Sequence, residues 1–475
     1  MQRPCSRPFS GFLQRARALA LDNIGGGSRT RRGSNTRSIS KSVLPPELWL
    51  KIFGHVPTYL LPSITLTCRS FRSLAQPLLF TTIATHPERS TSSAKDRRRV
   101  VDRLDFLFSP QIAPTVRGCK ISPPSVDGDH GPADDLIDFI FENLPTLPNL
   151  RVLECRHVRL TSKRLAILQS LKLSTISLDM CFGDISEFVI ARSMPLVLQD
   201  VSFKYPDSPK ASAMPSTCPL FLSAPHLEHL HATTTEVLPT LARSQPFTKL
   251  RTLDLPVECL LSVDLLPALL RCPAVDTLSL YTTNFIPTTV FEALPEGVLP
   301  LLESYRGPYN FAAAFLNGRT TKCVDVSIPA RPHSLVSSLL KLHRDLESLS
   351  FSLNSLDLPP AVMHTIHSIF PNLTSLAIAE PALSSTEIKA VLNSIPAHYN
   401  LEELTLRIQG RDKFNLWIPP AESAADAASC FNKVCTAVVK TYPAIQCVRF
   451  IHGSEGDSVA WRRSPRSGLF LPTGQ

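Results

Sequence analysis

A short apolar phrase recurs along most of this chain and constrains its fold more than any other feature. The phrase reads apolar-x-x-apolar-x-apolar, and its central residues follow one another at intervals of 19–44 residues. Repetition on this scale is typical of solenoids, in which each unit supplies one short strand and one return segment. We therefore predict an α/β solenoid of about 13 irregular units over residues 114–451, with parallel strands and helices. The central residues are Cys119, Leu153, Ile176, Val201, Leu230, Leu253, Leu278, Tyr305, Val324, Leu349, Leu376, Leu404 and Val448.

The prolines support the same register independently. Proline cannot continue a helix, and it biases the preceding residue toward extended backbone. We expect such prolines to end a return helix just before the next strand, which also explains a content of 42 prolines in 475 residues. A proline stands five residues before the central position in seven units: Pro114, Pro148, Pro225, Pro273, Pro300, Pro371 and Pro443.

The units resemble the irregular leucine-rich repeats of ubiquitin-ligase adaptors, although most lack the asparagine that follows the strand in the regular motif. The longest intervals indicate insertions near residues 122–133 and 410–430. In such a repeat, polar residues that alternate with the buried ones face the concave surface, where solenoids bind partners. The predicted substrate-binding residues are Glu154, Arg156, Asp179, Lys204, His229, His231, Asp254, Tyr281, Arg306, Asp325 and Arg407.

A compact helical domain is predicted over residues 42–83, before the repeats. Ser42 can cap its first helix, prolines at 45 and 46 suit the first turn, and Pro57 is expected to end it. One face of this helix carries Leu48, Ile52, Phe53 and Val56. A second helix is expected to end at Pro77, and its apolar residues are Leu61, Ile64, Cys68, Phe71 and Leu74. So small a domain has more apolar positions than it can bury alone, which implies a partner.

This domain resembles an F-box. The resemblance rests on Leu44-Pro45-x-Glu47-Leu48-x-x-x-Ile52-Phe53-x-x-Val56 and on Leu60-Leu61-x-x-Ile64-x-x-x-Cys68-Arg69-x-Phe71. The following Leu74-Ala75-x-Pro77-Leu78-Leu79-Phe80 resembles the extension of many fungal F-box proteins with irregular leucine-rich repeats. The chain departs from the family at Phe71, where tryptophan is frequent, at Tyr59-Leu60, where an acidic residue often precedes the leucines, and at Pro62.

The resemblance implies a substrate receptor of an SCF-type ubiquitin ligase. In that family the F-box binds a Skp-family adaptor, which docks on a cullin, and the repeats bind the substrate protein. Apolar side chains of a small helical domain gain by burial in such a partner. The residues implied as the adaptor interface and its supporting core are Leu44, Pro45, Leu48, Ile52, Phe53, Leu61, Ile64, Cys68 and Phe71.

Two alternatives stay open. The helical domain could be a cap that covers the first repeat, because solenoid ends need covers. The repeats could form a scaffold that binds protein or RNA without any ubiquitin role. Charge disfavours nucleic acid, because residues 1–46 hold nine of the 49 Lys and Arg and one of the 40 Asp and Glu, which leaves the remaining chain nearly neutral.

The remaining segments are predicted from composition. Residues 1–41 are expected to be a disordered basic tail, although an organelle transit peptide has a similar composition. Residues 84–113 are expected to be a linker, with a loop over 84–99 and a short helix from Val100 to Phe108. Residues 452–475 are expected to be a loose C-terminal tail.

No motif of an enzyme is found, so we expect no catalytic residue and no cofactor. His226-x-x-His229-x-His231 offers two ligands on one strand face, but no neighbouring cysteine or carboxylate completes a site, and no metal is predicted. No apolar stretch is long enough to span a membrane. Twelve cysteines without a C-x-x-C pair favour reduced thiols and hence the cytoplasm, the nucleus or both.

Overall fold

The structure is a computed structural model that describes residues 44–85, 94–123, 133–183, 196–205, 218–222, 225–281, 294–295, 297–353, 360–380, 400–408, 444–452, 457–464 and 470–473. The expected tail over residues 1–41, the Ser42 cap, the insertion near 410–430 and most of the one near 122–133 lie outside these residues. The chain divides into two compact units, Met1–Ile176 (unit 1) and Ser177–Gln475 (unit 2).

The described part of unit 1 begins with three helices: α1 (Pro46–Gly54), α2 (Leu61–Thr65) and α3 (Arg69–Leu79). Pro46 starts α1 because its missing N–H would be unpaired in a first turn in any case. The predicted second helix is wrong as one continuous run, since Cys68 interrupts it. Cys68 is extended and caps α3, with its Sγ accepting a hydrogen bond from the Phe71 amide at 3.4 Å.

Pro77 does not end α3, contrary to expectation, but lies inside its last turn. A proline there removes one backbone hydrogen bond, yet its carbonyl still accepts from the Thr81 hydroxyl at 3.0 Å. Leu78 and Leu79, which follow it, pack against the core of the three helices. Packing of these side chains outweighs the lost hydrogen bond.

Helix α3 leads into strand β1 (Thr82–Thr85), which pairs in parallel with β2 (Gly118–Ile121), and β2 pairs with β3 (Val152–Arg156). Ile83 lies opposite Cys119, so β1 is a further unit of the ladder that the sequence phrase missed. Helices α4 (Ala94–Leu107), α5 (Ala133–Asn143) and α6 (Ser162–Ser170) and strand β4 (Arg159–Leu160) complete unit 1. The predicted loop over 84–99 is therefore wrong at Ala84 and Thr85 and over 94–99.

Strand β5 (Thr175–Asp179) spans the unit boundary, and unit 2 continues with β6 (Phe182–Gly183). The parallel strands of unit 2 pair in chain order from β7 to β16. They are β7 (Asp200–Lys204), β8 (His229–Ala232), β9 (Thr252–Pro256), β10 (Thr277–Tyr281), β11 (Ser304–Arg306), β12 (Cys323–Ala330), β13 (Ser348–Leu353), β14 (Ser375–Glu380), β15 (Glu403–Ile408) and β16 (Cys447–His452).

In the described part of unit 2, a return helix follows six of these strands, and the predicted α/β class with a preceding helical domain is confirmed. The helices are α7 (Cys218–Phe221), α8 (Val237–Arg243), α9 (Leu265–Leu270), α10 (Tyr309–Leu316), α11 (Pro332–Leu339) and α12 (Pro360–Ile369). Strands β17 (Asp457–Arg463) and β18 (Phe470–Thr473) then add to β16 in antiparallel order. The predicted loose tail after residue 451 is therefore wrong for these two strands.

The register of the ladder follows the apolar phrase. In unit 2, the central residues lie directly opposite one another on neighbouring strands, from Val201 on β7 to Val448 on β16. All 13 central residues are at most 2% exposed. Six of the seven prolines that stand five residues before a central residue are described. They lie in turns or in a 3-10 helix just before a strand. In unit 1, Asn149 donates its side-chain amide to the Pro114 carbonyl of the preceding repeat at 2.7 Å.

Candidate functional site

Three aromatic rings fill the core of helices α1–α3. The ring centroids of Trp49 and Phe71 are 4.7 Å apart, those of Phe53 and Phe71 5.1 Å, and those of Trp49 and Phe53 5.6 Å. Phe53, Leu61, Ile64 and Ala75 are buried beside them. The sequence motif did not single out Trp49, although its i, i+4 spacing to Phe53 on one helix face was the available signal.

The nine predicted adaptor-binding residues fall into three groups. Phe53, Leu61 and Ile64 are buried in the core, and Cys68 and Phe71 are partly buried. The exposed group comprises Leu44 (42% exposed), Leu48 (43%), Ile52 (36%) and Pro45. Full burial of one such leucine or isoleucine is worth roughly 1.5–3 kcal/mol, so this exposed group is a surface that a partner can stabilise. Leu48 and Ile52 stand one helical turn apart and share a face of α1.

In unit 1, the open face of the strands carries predicted residues Glu154 and Arg156. The Glu154 carboxylate lies 3.0 Å from the Lys120 ammonium of β2, and both side chains are about half exposed. Arg156 is also exposed, at the end of β3. Lys120 was not predicted, although it occupies on β2 the position that Glu154 has on β3.

In unit 2, two predicted histidines each meet a carboxylate from a neighbouring strand. His229 Nε2 lies 3.8 Å from Asp200 Oδ1, and His231 Nδ1 lies 3.4 Å from Asp254 Oδ2. The lateral register causes both pairs, because Asp200 is opposite His229 and Asp254 is opposite His231. Each of these histidines thus has one carboxylate beside it. Among the described residues, however, no group of three or more His, Cys, Asp or Glu could hold a metal ion.

Tyr281 and Arg306 continue this face toward β12. The Tyr281 ring stacks on His231 at 5.4 Å, and its hydroxyl donates to the Ala232 carbonyl. Arg306 Nε lies 3.3 Å from Asp325 Oδ2. The structure thus brings His231, Asp254 and Tyr281 into one cluster, which we call the imidazole cluster, and joins Arg306 to Asp325.

The remaining predicted residues lie apart from that cluster. Asp179 is partly buried at the end of β5, and Lys204 is exposed at the end of β7. Arg407 lies on β15 opposite Ala379, and its side chain is outside the described part of the structure. An ion pair at 3.2 Å between Glu403 of β15 and Arg449 of β16 was not predicted. Glu403 stands just before the central residue of β15, and Arg449 stands just after the central residue of β16. The spacing of the apolar phrase could therefore have predicted both positions.

The buried cysteines of the ladder are unsuited to nucleophilic chemistry. Burial raises the pKa of the Cys119 thiol to about 12, and it raises that of Cys272 to about 12 as well. Both thiols stay protonated at neutral pH, and the thiolate is the reactive form. Within the described ranges, none of the helices combines the length and the apolar character needed to cross a bilayer.

Comparisons with known proteins identify the helical domain and add little about the repeats. A family model described as F-box-like matches residues 42–86, and no curated protein matches the chain in sequence. The chain is similar to the crystal structure of the yeast Rad7–Elc1 complex at 12% identity, covering 85% of this chain and 92% of that chain with a TM-score of 0.30. It is also similar to a leucine-rich-repeat protein of Leptospira interrogans at 14% identity, covering 79% and 91% with a TM-score of 0.26. At these TM-scores neither structure bears on function.

Proposed function

We propose that this chain is the substrate receptor of an SCF-type ubiquitin ligase. In this proposal, the F-box-like domain binds a Skp-family adaptor and through it a cullin, and the repeats bind the substrate protein. The chain itself catalyses nothing, because ubiquitin transfer belongs to the partner subunits. The observation that carries the proposal is the exposed apolar group on α1 and the two residues before it, within a domain that matches the F-box-like family.

The adaptor would cover the exposed group Leu44, Pro45, Leu48 and Ile52. Phe53, Leu61 and Ile64 would support that surface from below, and the partly buried Cys68 and Phe71 would border it. Apolar anchors at the centre of an interface contribute most of its binding energy. The domain bounds of the proposal are residues 42–83 for adaptor binding and 114–451 for substrate binding.

The junction between helices and repeats supports this role within unit 1. Two residues, Phe80 and Thr81, separate helix α3 from β1. The Thr81 carbonyl, at that junction, accepts hydrogen bonds from the amides of Arg117 and Gly118 at 2.8 and 3.0 Å. The F-box-like domain is thereby joined to the first strands by backbone hydrogen bonds, so a bound adaptor would have a defined position relative to them.

On the substrate side, the imidazole cluster and the Arg306–Asp325 pair are the proposed contacts in unit 2. Glu154 and Arg156 are proposed contacts in unit 1. We place the protein in the cytoplasm or nucleus, where ladder cysteines such as Cys119 would stay reduced.

The test is binding of the purified chain to a Skp-family adaptor. Replacing Leu48 and Ile52 by glutamate should weaken binding at least 100-fold, because two buried anchors are each worth roughly 2 kcal/mol. Circular dichroism should show the fold intact, since both side chains are exposed. Leu50→Glu is the matched control: it is similarly exposed on the same helix but lies about 200° around the axis from Leu48, so it should bind normally. Undiminished binding by the double variant would remove the proposed mechanism.

A further inference from the structure

Return helix α9 of unit 2 and the residues just before it expose four apolar side chains to solvent. Leu266 and Leu270 of the helix are 39% and 55% exposed. Leu261 and Val263, which precede the helix, are 57% and 91% exposed. We call these four residues the α9 patch. Exposed apolar side chains that lie this close together typically mark a surface that another molecule covers.

The opposite face of α9 already attaches the helix to the rest of unit 2. Leu265, Ala268 and Leu269 on that face are at most 3% exposed, and the helix packs against α8. The exposed positions of another return helix, α11, are polar, namely His333 and Ser337. Exposed leucines are therefore not a requirement of the return helices in unit 2, and the α9 patch needs a separate explanation.

Opposite charges stand at the two ends of α9. Asp264 immediately precedes the helix and is partly buried, and Arg271 immediately follows it and is exposed. Neither side chain forms an ion pair with another described residue. At about 100° per residue, the two charges lie only about 20° apart around the helix axis, and they lie about 10 Å apart along it. An acidic and a basic group therefore occupy opposite ends of the same border of the exposed face.

The leucines and the charges share one centre along the helix. Leu266 and Leu270 are centred on position 268, and Asp264 and Arg271 are centred between positions 267 and 268. When a second α9 lies antiparallel on the first about a two-fold axis, Leu266 of one copy meets Leu270 of the other. By the same symmetry, Asp264 of each copy meets Arg271 of the other. Such self-complementarity is what an interface between two identical copies requires.

We propose that the α9 patch is the interface through which two copies of this chain form a two-fold symmetric dimer. The apolar side chains form the centre of the interface, and the two Asp264–Arg271 pairs form its rim and fix the antiparallel orientation. A patch of this size predicts a weak dimer, whose population depends on protein concentration. The proposal is independent of adaptor binding, because it uses no residue of the F-box-like domain.

Sedimentation equilibrium of the purified full chain over a hundredfold range of concentration tests this. The average mass should rise with concentration from the 52.3 kDa of one chain toward twice that value. Leu266→Glu with Leu270→Glu should weaken dimerisation at least tenfold, because it places carboxylates at the centre of the interface. Circular dichroism should show the fold intact, since both side chains are exposed. Leu340→Glu is the matched control: Leu340 is 61% exposed in unit 2 outside the α9 patch, so this variant should dimerise normally.

Charge exchange tests whether the partner is a second copy in this orientation. Asp264→Arg or Arg271→Asp alone places like charges opposite each other and should weaken dimerisation several-fold. An equimolar mixture of these two variants should dimerise as well as the parent chain, because every acidic side chain then faces a basic one. A parent chain that stays monomeric at the highest concentration, a Leu266 and Leu270 double variant that dimerises like the parent, or a mixture that dimerises no better than either variant alone would each overturn the proposal.

Discussion

The first helix of the F-box-like domain and the central positions of the repeats use the same kinds of apolar residue and bury them to different degrees. Every central residue of the repeats is at most 2% exposed, whereas Leu44, Leu48 and Ile52 of the helical domain are 36–43% exposed. A repeat buries its leucines against the next repeat, and the helical domain has no equivalent neighbour for α1 among the described residues. This exposed apolar group is the surface that we propose the adaptor covers.

The largest expected effect concerns the core of the helical domain. Phe53→Ala removes one of three packed rings, and such losses cost roughly 3–5 kcal/mol. In a domain this small, that loss should unfold α1–α3 and abolish adaptor binding. Limited proteolysis should then cleave between residues 44 and 79. A Phe53→Ala protein as resistant as the parent chain would show that the ring cluster does not hold the domain together.

A repeat leucine should give the opposite result. Leu278 is fully buried between Leu253 and Tyr305 of the neighbouring strands. Leu278→Ala should lower the free energy of unfolding by roughly 2–5 kcal/mol while adaptor affinity stays within twofold. Urea denaturation followed by circular dichroism measures the first quantity, and the adaptor binding assay measures the second. Loss of adaptor binding in this variant would mean that the two regions do not act separately.

The smallest expected effect is on the open face. Lys120 and Glu154 form an exposed ion pair, and exposed pairs contribute about 0–1 kcal/mol. Glu154→Gln should therefore leave stability nearly unchanged, in contrast to Leu278→Ala. A loss above 2 kcal/mol in urea denaturation would contradict the description of this face as a solvated binding surface.

The ladder could be predicted from sequence because most strands carry two buried apolar positions at a constant offset, and parallel pairing preserves that offset. Strand β1 escaped notice because Thr82–Thr85 offers only Ile83 as a large apolar residue. The break before α3 depends on Cys68 capping through its sulfur, an unusual cap.

Side-chain contacts between different strands could not be predicted from the spacing of residues along the sequence. Asp200 and Asp254 reach His229 and His231 only through lateral register, across more than 20 residues of sequence. Arg164 is a second example. It is 2% exposed because Asp134 and Asp138 of α5 contact it at 3.0 and 2.7 Å, whereas its sequence suggests an exposed arginine. Such contacts follow from which elements become neighbours, and an apolar phrase does not encode them.

Hydrogen–deuterium exchange of the full chain, with and without a Skp-family adaptor, tests the central claim most directly. The account predicts that amide exchange in α1 slows at least tenfold in the complex, while exchange in strands β7–β16 is unchanged. Unchanged exchange in α1 with adaptor bound, or slowing confined to the repeats, would contradict it.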